Sequence, residues 1–148
     1  MQLTIKIDDK KLMARLDKMT NGLKDLKEPL EEIGDELLEF YSQENFERQG
    51  AALGSKWTPL SVYTLQGRAR RTGHYKNQPK AVNKMLIWTG KLQSGFQKIV
   101  TKSKLTIKNT VDYFKHNQEK RPMLGINNTV KGIVKGGLGN YISKLIKS

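Results

Sequence analysis

The sequence predicts an α+β fold in one domain: N-terminal helices packed with an antiparallel β-sheet (meander), a long basic loop and a C-terminal helix. Three observations carry this reading. Apolar residues recur at steps of three and four between Leu12 and Phe46 and again between Val130 and Ile146, the period of a helix with one buried face. From Met85 onward β-branched and aromatic residues alternate with polar ones in short runs, the pattern of strands. The stretch from Gln49 to Lys84 keeps no sustained period and is punctuated by glycine, proline and basic residues, which reads as loop.

Taken in order, Leu3, Ile5 and Ile7 alternate with polar residues and predict a short strand suited to an edge. Asp8 or Asp9 is placed to cap the first helix, whose apolar stripe is Leu12, Leu16, Met19, Leu23 and Leu26, with a break expected near Asn21-Gly22. Pro29 suits the first turn of a second helix, continued by Leu30, Ile33, Leu37, Phe40 and Tyr41 toward Phe46. The loop "QGRARRTGHYKNQPKAVNK" holds six Lys/Arg and no acid. Strand-like runs follow in "KMLIWTG", "FQKIVTK", "KLTIKNT" and "VDYFKHN", and "TKSKLT" reads as the turn of a hairpin. The last helix carries Val130, Ile133, Val134, Leu138, Tyr141, Ile142, Leu145 and Ile146. Its glycines 132, 136, 137 and 139 each lower helix propensity by up to about 1 kcal/mol relative to alanine, so it is expected to bend or begin late. The single domain, 1–148, thus has three parts: 1–50 acidic and helical, 51–84 an extended arm and basic loop, 85–148 the β-meander and C-terminal helix.

Charge is distributed unevenly along the chain. Residues 1–50 hold 8 basic and 12 acidic side chains, a net of −4, while residues 51–148 hold 19 and 2, a net of +17. Such a bipolar field attracts nucleic acid or steers the acidic face of one subunit onto the basic face of the next. Glu28, Glu31, Glu32, Asp35, Glu36 and Glu39 crowd the second helix with no basic residue between them, and like charges at i and i+4 repel. The face is either solvated or a contact for a basic partner. In the loop, Arg68, Arg70, Arg71, Lys76 and Lys80 are interleaved with His74 and Tyr75, which suits a solvated loop, a protein contact or nonspecific contact with phosphates.

Catalytic chemistry is sparse. Zero cysteines exclude disulfides, thiolate metal sites and a cysteine nucleophile. His74 and His116 have no second ligand at a metal-binding spacing, and beyond residue 50 the only carboxylates are Asp112 and Glu119. "TGKLQSG" lacks the first glycine and the Ser/Thr of a phosphate loop. No catalytic residue, metal or cofactor is expected, and therefore no enzyme. No apolar run approaches the roughly 18 residues of a membrane span, and the start "MQLTIKIDDKK" lacks a secretory signal. Synthesis in a cytoplasm is expected.

The segments "FERQGAALGSKWTPLS", "MLIWTGKLQSGF", "VDYFKHNQ" and "RPMLGIN" together resemble the virion morphogenesis family of tailed phages, whose members are also called tail completion proteins. The family pattern runs from a phenylalanine at the end of a long helix, through a glycine-containing turn, to W-x-P-L-S. I-L-x-x-T-G-x-L-x-x-S follows, then Y-A-x-x-H in a strand, then R-P-F-L-G. Phe46, Gly50, Gly54, Trp57, Pro59, Leu60 and Ser61 fit the first part, and Leu86, Thr89, Gly90, Leu92 and Ser94 the second. Tyr113 and His116 fit the third, and Arg121, Pro122, Leu124 and Gly125 the fourth. Order and spacing cover about residues 10 to 146. Phe114, Met123 and Gly95 depart from the pattern.

The resemblance implies a non-enzymatic structural protein of the phage neck or tail terminus, made in the bacterial host cytoplasm and carried in the virion. Its implied role is tail completion and head-to-tail joining, with tail tube, tail terminator and head-to-tail connector proteins as partners, as a homo-oligomeric ring with a possible nonspecific contact with phage DNA. The candidate interface residues are Trp57, Pro59, Leu60, Thr89, Gly90, Leu92, His116, Arg121 and Pro122, with Glu32, Asp35, Glu36 and Glu39 on the acidic helix. Arg68, Arg70, Arg71, Lys76 and Lys80 are the candidate DNA-facing residues. Trp57 and Trp88 suit core positions better than an interface, and Arg121-Pro122 equally suits a loop that turns the chain into the last helix. The alternative function is a small nonspecific nucleic-acid-binding protein using its basic half.

Overall fold

The stripe that begins at Leu12 forms α1, Asp9–Lys24, and the one that begins at Leu30 forms α2, Lys27–Glu39, with Pro29 in its first turn. The structure is a computed structural model that describes residues 9–70, 85–86 and 90–148. The expected strand Leu3–Ile7 lies outside the described residues, as do His74, Tyr75 and Trp88. α1 does not break at Asn21-Gly22. Gly22 is a packing position instead: a Cβ there would lie 2.7 Å from Leu145, and the Tyr141 hydroxyl donates to its carbonyl at 3.1 Å.

α2 runs without interruption into a π-helical turn, Phe40–Glu44, and a last turn, α3, Asn45–Glu47. A π-turn inserts one residue into the helical repeat and so rotates the next turn about the helix axis. Phe40, Tyr41, Asn45 and Phe46 are consequently all buried. Two left-handed glycines, Gly50 and Gly54, bracket a 3-10 turn, Ala51–Leu53.

The stretch 49–84, expected as loop, contains a helix, α4, Val62–Arg70. Its start is a side-chain cap, in which the Ser61 Oγ accepts from the Thr64 N–H at 3.2 Å. The expected meander is a two-stranded hairpin among the described residues. β1, Phe96–Val100, pairs antiparallel with β2, Leu105–Asn109, in the register Phe96↔Asn109 to Val100↔Leu105. The turn falls at "TKSK", as read from the sequence, closed by Thr101 N–H donating to the Lys104 carbonyl at 2.8 Å.

Among the described residues neither flanking run forms a strand, and residues 87–89 of the first lie outside them. Before the hairpin, Leu86 has φ +62 and α5, Lys91–Ser94, forms a single helical turn. After it, "VDYFKHN" becomes a turn and α6, Phe114–Lys120. Inward positions there are Phe114, Asn117, Gln118 and Arg121, spaced by three, one and three, while Lys115, His116, Glu119 and Lys120 are exposed. The periodicity is helical despite the β-branched and aromatic residues. His116 therefore sits on a helix, not a strand.

The C-terminal helix α7, Asn128–Lys147, is capped by Asn127, whose Oδ1 accepts from Val130 N–H at 3.0 Å. It runs as one element with no late start, and one of its glycines is used for close approach: at Gly137 a Cβ would overlap Ile33 of α2. α2 is the central element, packed on α7 and on both strands. The core joins Ile33, Leu37, Phe40, Phe46, Trp57 and Phe96 with Leu92, Met123 and Val130. Phe96 is the hub of its aromatic part, with Phe46 and Phe114 edge-on at 6.0 and 5.9 Å and Tyr41 stacked at 6.4 Å.

Candidate interaction surfaces

The segments that resemble a family pattern meet at one place. Gln49 and Gly50, with φ of 51 and 90, reverse the chain after α3. Trp57 returns along the reversal, its N–H donating to the Gln49 carbonyl at 2.8 Å. Gly50 is needed twice over, for its positive φ and because a Cβ would overlap the indole. The Trp57 Nε1 donates to the Pro122 carbonyl at 2.7 Å, and the ring lies edge-on to Phe46 at 5.2 Å.

Further bonds fasten 121–127 to the same arm and to the π-helical turn. Arg121 Nε donates to the Thr58 carbonyl at 3.0 Å, Asn127 Nδ2 to the Ala52 carbonyl at 2.8 Å and the Tyr41 hydroxyl to the Gly125 carbonyl at 2.5 Å. Burial pushes the Tyr41 hydroxyl above its ordinary pKa, against the opposing effect of that bond. Gln49 ties in Met85, accepting its N–H at 2.6 Å through Oε1. Gln118 Oε1 accepts from Met123 and Leu124 at 2.7 and 3.0 Å. These bonds are worth about 1 kcal/mol each in net stability, and leaving a buried partner unmade costs more. Together they form a structural clasp.

Several candidate interface residues are therefore internal. Trp57 and Leu92 are buried at 3% and 5% exposure in their own chain; they belong to the core rather than to a subunit contact. Leu60 is half-buried and lines a cleft of about 260 Å³ with Arg68, Tyr113, Asn117 and Arg121. Arg68 is only 8% exposed, so it is not a DNA-facing side chain. Arg70 is exposed; Arg71, Lys76, Lys80 and Thr89 lie outside the described residues. Gly90, with φ +75, stands before α5. Pro59, Pro122 and His116 present exposed side chains.

On α2, Asp35 and Glu31 already have a basic partner. Lys98 of β1 reaches their carboxylates at 2.6 and 2.8 Å and donates to the Glu31 carbonyl at 3.2 Å. The Asp35 and Glu31 hydrogen bonds raise the Lys98 pKa above its ordinary value. Glu32, Glu36 and Glu39 remain exposed. Glu36 and Glu39 line a cleft of about 290 Å³ with Glu44, Glu47 and Ile133, and Glu44 accepts from Arg48 at 3.3 Å.

One surface was missed by sequence reasoning. An open groove of about 510 Å³ runs between Leu30, Ile33 and Leu37 of α2, Ile107 of β2, and Val130 and Val134 of α7, with Ile126 at its mouth. Its walls come from segments far apart in the chain, so no local period announces it; the exposed Ile126 in "LGINN" is the nearest signal. Among the described residues no group of three or more His, Asp or Glu is placed to hold a metal ion. No described helix is long and apolar enough to cross a membrane.

No curated protein and no solved structure matches the chain significantly. A match to the phage virion morphogenesis family covers residues 7–113. It takes in the Trp57 arm, the Leu86–Ser94 segment and Tyr113, while His116 and Arg121–Gly125 lie beyond its end. The structure nevertheless binds the latter segment to the former through Trp57 and Pro122. With more than half of its length matched, the chain belongs to the phage virion morphogenesis family.

Proposed function

We propose that the protein is a structural component of tail completion and head-to-tail joining, carried in the neck or tail terminus as a ring and acting without catalysis. The observation that carries this reading, beside family membership, is the exposed carboxylate row Glu32, Glu36 and Glu39 in a chain whose residues 51–148 carry +17. Oppositely charged surfaces of one chain favour head-to-tail contacts, which close into rings when the rotation permits. Tail tube, tail terminator and connector proteins are the partners this role requires. Deleting the gene from a phage that encodes it is expected to leave filled heads and completed tails unjoined in electron micrographs. Failure to build tails at all, or normal joined particles, would overturn the assignment.

A second reading is nonspecific DNA contact through the basic part. It is favoured by Lys131, Lys135, Lys144 and Lys147, all exposed on α7. Duplex binding that weakens steeply between about 50 and 200 mM salt would support it, and no binding at the lower concentration would sink it.

A further inference from the structure

The acidic N-terminal part is electrically two things. α1 carries five basic and two acidic residues, a net of +3, whereas the chain from Lys27 to Glu47 carries one and eight, a net of −7. α1 also fails to bury its stripe. Leu12, Leu16, Met19 and Leu23 stand at helical spacing on one face, yet Leu12, Leu16 and Leu23 are 47–49% exposed, Met13 is 55% exposed, and every residue from Lys10 to Lys18 is exposed. The helix meets the body near its own C-terminal end, where Gly22 contacts Leu145 and Tyr141.

The apolar groove is the complementary shape. Its lining, from α2, β2, α7 and the segment before α7, is aliphatic apart from Tyr41 and Gly125, which is what an amphipathic helix recognises. It lies at Val130 and Val134, while α1 of the same chain is anchored at Tyr141 and Leu145. From Val134 to Leu145 is eleven residues, about 16 Å of helix.

We propose that α1 of one copy docks its Leu12-Leu16 stripe into the groove of a second copy. This rests on the ring reading above and names a contact that builds the ring, the acidic row being met by the basic side chains of α1 rather than by those of residues 51–148. The arm's Lys10, Arg15 and Lys18 approach a body whose α2 wall is acidic. Lys98 occupies Glu31 and Asp35, and the exposed Glu32, Glu36 and Glu39 supply the field that attracts the arm. Because arm and groove are different surfaces, the contact is heterologous.

Two variants of the full chain test it by size-exclusion chromatography with light scattering. Leu16→Glu disables the arm and Ile126→Glu the mouth of the groove; Ile126 is 78% exposed, so the fold tolerates the change, and circular dichroism verifies both. Wild type is expected to form a multimer of discrete mass, and each variant alone to associate about tenfold or more weakly. Mixed one to one, they are expected to form a heterodimer, since one intact arm and one intact groove remain. A mixture that stays monomeric overturns the proposal. Multimers that persist in both variants overturn the arm contact while leaving the ring reading standing; a wild type that is monomeric throughout overturns both.

Discussion

The Trp57 indole N–H donates to the Pro122 carbonyl at 2.7 Å across 65 residues of chain, locking the arm after α3 to the segment that leads into α7. Trp57 is 3% exposed and packs edge-on to Phe46, itself fully buried. Trp57→Ala removes the ring and leaves the carbonyl without its donor, which should cost about 3–5 kcal/mol. Trp57→Phe keeps most of the apolar contact and should cost about 1–3 kcal/mol. Urea unfolding followed by circular dichroism checks both. A folded Trp57→Ala monomer of near wild-type stability would return this residue to the interface.

Much of the frame was legible. The α2 stripe and the hairpin are readable because their periods are set by burial of one face against a nearby element. α4 is hidden because its helical signal is the Ser61 cap rather than an apolar stripe; only one of its residues, Arg68, is buried. α6 reads as strand because Tyr113 and Phe114 carry strand propensity, yet Phe114 is drawn onto Phe96 at 5.9 Å and tertiary packing decides. Arg68 reads as a phosphate contact on the rule that arginines are exposed, but the whole residue is only 8% exposed and lines a cleft with Leu60 and Leu92.

The glycines of α7 divide into two kinds. Gly132 and Gly139 have nothing within 4 Å of where a Cβ would stand, whereas at Gly137 a Cβ would overlap Ile33, which is 1% exposed. Gly132→Ala and Gly139→Ala should each stabilise by up to about 1 kcal/mol through helix propensity. Gly137→Ala should destabilise by about 1–3 kcal/mol, as α7 is forced away from α2. In thermal melts the first two variants should move up and the third down; a Gly137→Ala variant that gains stability would show that α7 can shift freely on α2.

Lys98 gives the protein an alkaline limit. Its folded pKa is raised above the ordinary 10.5 by Asp35 and Glu31, so protonated lysine is favoured by folding. The contribution is complete below about 10.5, the unfolded value, and is lost as pH rises through the higher folded value. With Asp35 70% exposed, it should be worth about 1 kcal/mol or less. Lys98→Met should therefore melt lower than wild type at pH 7, and the gap should narrow above about pH 10.5. An unchanged gap at high pH would assign the loss to packing of the lysine stem instead of its charge.

The exposed row Glu32, Glu36 and Glu39 separates a solvated face from a docking face. Glu32 and Glu36 are four residues apart, so their mutual repulsion costs the helix a few tenths of a kcal/mol. Replacing all three by lysine keeps a like-charge pair at 32 and 36 and turns the i,i+4 neighbours Glu28 and Asp35 into attractive partners, and the exposed positions should leave stability within about 1 kcal/mol. Folding is thereby held nearly constant while the field seen by an approaching basic arm is reversed. If the row steers a neighbouring copy, the triple variant should associate more slowly and more weakly. Wild-type association should fall as salt rises, while that of the variant should improve, because screening removes an attraction in one case and a repulsion in the other. Sedimentation velocity at low and high salt measures this directly. Equal association of the two proteins at both salt concentrations would mean that the row is a solvated face and that the subunit contact is apolar alone.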